Sequence, residues 1–282
     1  MEQGQIPQAS FLSDDVFYFD NMQALEKYQQ AIDSLLGRLN IEFKDNLSSV
    51  LVVGSWARGD FIPGQSDIDI NVVMKTGASS DYESKVKKIA SDIQHEYLSG
   101  LPYLKEEVMG ISVTTLEEIL SSTSYLGSGF VYYDFMNSSQ VIFGEDIRDK
   151  IQIPDKKKIH ASARKCIDDI LSKYAYLEDI LKLDYESASK YFATKENMAE
   201  LAFAMFFRGT SVFLAAKGIY VSDKKLILDE VNRENYPDWM KQRLSMAYKN
   251  WTNWRQINFS NEDTFDFLKM AYIYLKSIRS LI

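Results

Sequence analysis

Residues 50–73 read VLVVGSWARGDFIPGQSDIDINVV. A run of Val and Leu ends on Gly54-Ser55. After eleven intervening residues, Asp67 and Asp69 stand one isoleucine apart inside a second apolar run. Ser48–Val53 is expected to be a strand, because continuous β-branched and Leu content suits burial on both faces. Gly54 ends it, residues 55–65 form a loop carrying Gly59, Pro63 and Gly64, and Asp67–Met74 is a second strand. Side chains alternate sides along a strand. Asp67 and Asp69 therefore share one face, while Ile68 and Ile70 point into the opposite layer.

Two carboxylates side by side repel and raise each other's pKa unless a cation lies between them. Mg²⁺ suits that place, since it takes oxygen ligands from one or two carboxylates together with substrate phosphates. Gly54 lets a backbone approach a phosphate closely. Ser55 offers a hydroxyl and an N–H, and Arg58 follows three residues on with a guanidinium that can reach a polyphosphate. Donors on the loop and metal ligands on the strand fit metal-assisted nucleotidyl transfer. An Asp-x-Asp pair alone is equally well a solvated turn cap. The Gly-Ser at this spacing, with apolar runs around both elements, favours the functional reading.

Outward from this segment, residues 22–39 read as a helix, with Leu25, Tyr28, Ile32, Leu35, Leu36 and Leu39 on one face. Tyr82–Tyr97 reads as an amphipathic helix, Glu106–Thr114 as a third strand and Leu116–Ser122 as a short helix. Phe130–Met136 is a strand or a helix start, and Gln140–Phe143 is short and apolar. Past Pro154 the pattern becomes helical, over roughly 157–181, 184–191, 196–217, 223–231, 237–253 and 262–281. The expected fold class is α+β. Residues 1–153 form a mixed sheet flanked by helices, and residues 154–282 an all-α bundle that binds the substrate or a partner.

The 282 residues are 46% hydrophobic and 26% charged, enough to bury a sizeable core. A net charge of -8 and a pI near 5.0 argue against long nucleic acids as substrate, and suit a cationic small molecule. Cys166 is the single cysteine, which excludes an internal disulfide. His95 and His160 are too isolated for a zinc site. No apolar stretch is expected to approach the roughly 20 residues that cross a bilayer, and the first residues carry no signal core. The expected location is the cytoplasm, with no membrane partner.

Val53-Gly54-Ser55 followed by Asp67-Ile68-Asp69 resembles the signature of the nucleotidyltransferase superfamily that includes DNA polymerase beta. The finer pattern, Gly-Ser-x-Ala-Arg-Gly with Ser66-Asp67-Ile68-Asp69, is similar to the bacterial aminoglycoside and minimal nucleotidyltransferases. Val141-Ile142-Phe143-Gly144-Glu145-Asp146 resembles the end of the catalytic domain in the aminoglycoside enzymes, and the helical remainder resembles their C-terminal domain. The resemblance implies a nucleoside triphosphate, ATP above all, as co-substrate. Gly54, Ser55, Arg58 and Ser66 would hold it, and Asp67 and Asp69 would hold Mg²⁺. The acceptor would be a hydroxyl of a small molecule such as an aminoglycoside, bound between the domains, which is a resistance chemistry. The family also carries a third carboxylate on a following strand, and here Gly110 stands at that position. Glu107, Glu106 on the same strand, or Glu196 and Glu200 on the 196–217 helix would have to replace it, with Glu107 the chosen catalytic acid. Two alternatives stay open. One is a protein acceptor, as in toxin–antitoxin nucleotidyltransferases, favoured if Trp239, Tyr248, Trp251 and Trp254 form an exposed patch and not a packed core. The other is nucleotide binding without catalysis.

Overall fold

The computed structural model describes residues 15–63, 66–77, 79–99, 108–121, 131–152, 154–192, 194–254 and 259–282. Strands β1 (Leu47–Val53), β2 (Ile68–Met74), β3 (Met109–Thr115) and β4 (Ser139–Gly144) form one sheet in the order β3-β2-β1-β4. β1 runs antiparallel to β2 and β4, whereas β2 and β3 are parallel, so the sheet is mixed. Helices α1 (Asp15–Phe43) and α3 (Ser79–Ile93) supply the apolar layer for one face. Tyr28, Ile32, Leu35 and Leu39 of α1 and Val86, Ala90 and Ile93 of α3 are buried with Ile68, Ile70, Val72 and Met74 of β2. The period-2 alternation of β2 thus puts its isoleucines in the core, as its pattern requires.

Several boundaries differ from the sequence reading. α1 begins at Asp15, well before residue 22. The segment 55–65 is not all loop: residues 54–58 form a short helix, α2 (Gly54–Arg58), ended by Gly59 in the left-handed conformation. α3 runs on into a π-helical turn, Gln94–Leu98. α4 (Leu116–Leu120) is capped by Thr115, and the segment left open between strand and helix is α5 (Val131–Asn137).

The chain divides into two compact units, residues 1–127 with 135–152 and residues 128–134 with 153–282. The second is helical: α6 (Lys156–Lys173), α7 (Leu177–Ile180), α8 (Tyr185–Ala188), α9 (Lys195–Ala216), α10 (Lys224–Arg233), α11 (Asp238–Thr252) and α12 (Asn261–Arg279). The helix expected over 157–181 breaks after Lys173. Ala175 and Leu177 donate their N–H groups to Ser172 and Tyr174 in tight turns, 3.2 and 2.9 Å. Phe203 meets Trp251 and Trp254 edge to face at 5.2 and 5.7 Å, and Phe206 lies 4.8 Å from Tyr274. Trp251 and Trp254 are therefore core, not a surface patch, and Trp239 packs edge-on against Tyr274. The expectation about membrane-length segments also needs correction. Residues 196–216 are long and apolar enough by length and composition, but 72% of the most apolar window is buried inside the protein.

Candidate active site

One cross-sheet row sets the site. Register places Ser139, Val53, Asp69 and Gly110 opposite one another on successive strands. Asp69 is half-buried on the face away from Ile68 and Ile70, and Asp67, also half-buried, stands just before β2 begins. Asn71 continues that face as a buried amide. The sequence reading missed it, although an Asn two residues past Asp69 was a signal.

The Asp69 carboxylate rests against two residues that lack side chains. A Cβ on Gly110 would stand 2.7 Å from Asp69 Oδ1, and one on Gly54 would stand 3.1 Å from Asp69 Oδ2. Gly54 also has φ +70, a left-handed conformation that favours glycine. Its N–H donates to the Ser138 carbonyl at 2.9 Å. Gly54 thus serves the site by leaving room for Asp69, and its own N–H is already spent on β4's approach.

An aromatic clamp fixes the turn after β1. Phe61 meets Tyr28 and Trp56 edge to face, each at 4.8 Å. The Asp60 N–H donates to the Ser55 carbonyl at 3.1 Å. Ser66 closes the loop in both directions: its N–H donates to the Ile62 carbonyl at 2.8 Å, and its Oγ accepts from the Ile62 N–H at 3.1 Å. Ser66, expected to touch nucleotide, is buried and fastens the loop that delivers Asp67. Ser55 is buried as well.

Arg58 is expected from the sequence to reach a polyphosphate together with Gly54 and Ser55. Its guanidinium makes a two-pronged pair with Asp60, Nε to Oδ1 at 3.2 Å and Nη2 to Oδ2 at 3.3 Å. Both side chains are largely shielded, 16% and 28% exposed, so this is more than a surface ion pair. Sequence reasoning passed over Asp60, though Arg-Gly-Asp across a tight turn was there to be read.

Glu107, the expected catalytic acid, and Glu106 lie outside the described residues. Glu196 and Glu200 occupy the first turns of α9 in the helical unit, half-buried. Glu118, in the acidic helix start after β3, has a structural task. Its Oε1 accepts from the Ser79 N–H and Oγ at 3.2 and 2.8 Å, and its Oε2 from the Thr115 N–H at 2.9 Å and the Thr114 hydroxyl at 3.2 Å. Burial alone would raise its pKa. The Ser79, Thr115 and Thr114 bonds outweigh burial and leave it lowered. In the Gly144-Glu145-Asp146 segment, Asp146 accepts from Arg148 Nε at 2.9 Å while Arg148 Nη1 donates to the Ser139 carbonyl at 3.1 Å, tying down the end of β4.

The donor chemistry fits a hard divalent cation. Asp67 and Asp69 are carboxylates separated by a single residue, and Mg²⁺ takes oxygen ligands from one or two carboxylates together with phosphates and water. Among the described residues no group of three or more His, Cys, Asp or Glu side chains could hold a metal.

Residues 32–128 match the family model described as nucleotidyltransferase domain, a span that holds β1, β2 and β3 with Val53, Asp69 and Gly110. No curated protein matches the chain. Among solved structures, the chain is similar to a spectinomycin adenyltransferase, AAD(9), from Enterococcus faecialis with ATP and spectinomycin. The identity is 14% and the TM-score 0.57, over 88% of this chain and 99% of that one. This likeness carries the fold: a mixed sheet flanked by helices, followed by a helical region.

Proposed function

We propose that this chain, whose residues 32–128 match the nucleotidyltransferase domain model, moves AMP from ATP to a hydroxyl of a small molecule of the aminoglycoside kind. The observation behind this reading is Asp69 on β2, opposite Val53 and Gly110, with Asp67 two residues before it, at the end of the turn that begins at α2. Asp67 and Asp69 hold Mg²⁺, which when bound neutralises phosphate charge and favours in-line attack. Arg58, oriented by Asp60, meets phosphate oxygens. Ser55 and Ser66, both buried, shape the nucleotide side through the turn they belong to, and Gly54 leaves room for the Asp69 carboxylate. Glu107 takes the proton of the acceptor hydroxyl. Residues 1–153 form the catalytic domain, and residues 154–282 receive the acceptor. A net charge of -8 favours a cationic acceptor. The substrates held by the AAD(9) structure, ATP and spectinomycin, are the pattern for both substrate classes. The reaction takes place in the cytoplasm.

The test is to incubate the purified protein with Mg²⁺, labelled ATP, GTP, CTP or UTP, and a panel of aminoglycosides, lincosamides and lysate proteins. The expected result is label from ATP on a small molecule, abolished by EDTA. Label on a protein would replace the small-molecule acceptor with a protein one. ATP binding with no transfer in any mixture would overturn the enzymatic reading in favour of a nucleotide-binding protein.

A further inference from the structure

We infer that Gly110 is a positioning residue for Asp69, and that this row of the sheet is built for one carboxylate, not for two side by side. The inference rests on the proposed metal-nucleotide role of Asp69. β2 and β3 are parallel and in register, with Asp69 directly opposite Gly110. Glycine weakens a strand interior and there marks the close approach of another group. Here that group is the Asp69 carboxylate: a Gly110 Cβ would stand 2.7 Å from Oδ1, closer than nonbonded atoms tolerate. The other oxygen, Oδ2, faces Gly54, where a Cβ would stand at 3.1 Å. The carboxylate is thus held between two positions without side chains, and a side chain at Gly110 has to push it out of that seat. An acid at Gly110 would add a second negative charge to the overlap, and each carboxylate would raise the other's pKa. The proton of the acceptor must therefore leave to a group off this row.

Gly110→Ala and Gly110→Glu are to be made in the natural chain and again with Asp69→Ala. Two quantities are read: Mn²⁺ affinity in the presence of ATP, by electron paramagnetic resonance, and the unfolding midpoint. The Mn²⁺ affinity of Gly110→Ala should fall at least about tenfold, the scale seen when a group orienting a metal ligand is lost. Its melting temperature should also fall. In the Asp69→Ala background the same change should raise the melting temperature, because Cβ then has room and alanine stiffens the strand. Gly110→Glu should bind Mn²⁺ no more tightly than the natural chain. Unchanged Mn²⁺ affinity in Gly110→Ala would overturn the inference. So would an equal thermal penalty in both backgrounds, or tighter Mn²⁺ binding by Gly110→Glu. If Gly110→Ala does not fold, recovery of folding in the double variant supports the seat, and failure of both overturns it. If the natural chain binds no Mn²⁺ with ATP, the proposed function falls, and the thermal comparison still decides the role of Gly110.

Discussion

In the helical unit the large aromatic side chains meet one another. Phe206 packs on Phe267 at 5.3 Å and Tyr274 at 4.8 Å, and the buried hydroxyls of Thr210 and Tyr274 lie 2.6 Å apart. In the sheet unit, strand β2 carries Asp69 and Asn71 between buried apolar residues, on a face where leucine or valine would pack at less cost. The first region is mainly aromatic packing, and its buried Thr210 and Tyr274 hydroxyls satisfy each other. The second keeps polar groups where burial disfavours them, and departures of this kind mark functional sites. The contrast predicts that variants of the two regions fail differently: one in stability, the other in chemistry.

The largest effect belongs to the helical core. Phe206→Ala should destabilise the protein by about 3–5 kcal/mol, the range for emptying a buried aromatic site, as read from denaturant unfolding. A loss below about 1 kcal/mol would break the contrast by showing that the aromatic core is loosely packed. Next come Asp67→Asn and Asp69→Asn. Each should lower nucleotidyl transfer at least about 100-fold, at the upper end of losses seen around metal centres, while the unfolding free energy changes little. Full activity in either variant would remove that aspartate from the metal role.

A smaller effect sharpens the comparison inside the sheet unit. Arg58→Ala and Asp60→Ala should each weaken ATP binding about tenfold, measured by calorimetry. The double variant should be no worse than either single one, because the pair acts as a unit. Additive losses would mean that Asp60 does not act through Arg58. The smallest effect concerns Glu118, which ties β3, α3 and α4 together by hydrogen bonds. Its folded-state pKa is lowered, so its contribution is present above the ordinary carboxylate range and is lost as pH falls through the lowered value. Glu118→Gln should cost about 1 kcal/mol at pH 7, as for a lost helix cap, with the gap from the natural protein closing in acid. A gap independent of pH would show that charge plays no part.

The fold's core was legible where local chemistry and tertiary demand agree. Val50–Val53 is a continuous apolar run, β2 alternates Asp69 and Asn71 with Ile68, Ile70 and Val72, and the aspartates stand out against the apolar residues around them. α2 was missed because five residues opening on glycine carry too little periodicity to signal a helix. The break after Lys173 was missed because Tyr174-Ala175-Tyr176 contains no glycine or proline, and only turn hydrogen bonds in the folded chain reveal it. At the site, the sequence points to Asp67 and Asp69 and marks Gly110 on the following strand, which the register puts opposite Asp69. It could not see that Arg58 is held by Asp60, or that Ser66 closes its own loop, since both depend on how a turn folds back on itself. Gly110 illustrates the limit best. The sequence presents it as a missing acid, and the register turns it into the floor beneath Asp69.

Crystals grown with Mn²⁺ and a non-hydrolysable ATP analogue, measured at the manganese absorption edge, test the central claim most directly. The account predicts an anomalous peak bound by the carboxylates of both Asp67 and Asp69, with phosphate oxygens completing its shell. Nucleotide bound with no metal between those two side chains, or a metal held elsewhere with both aspartates turned away, would contradict it.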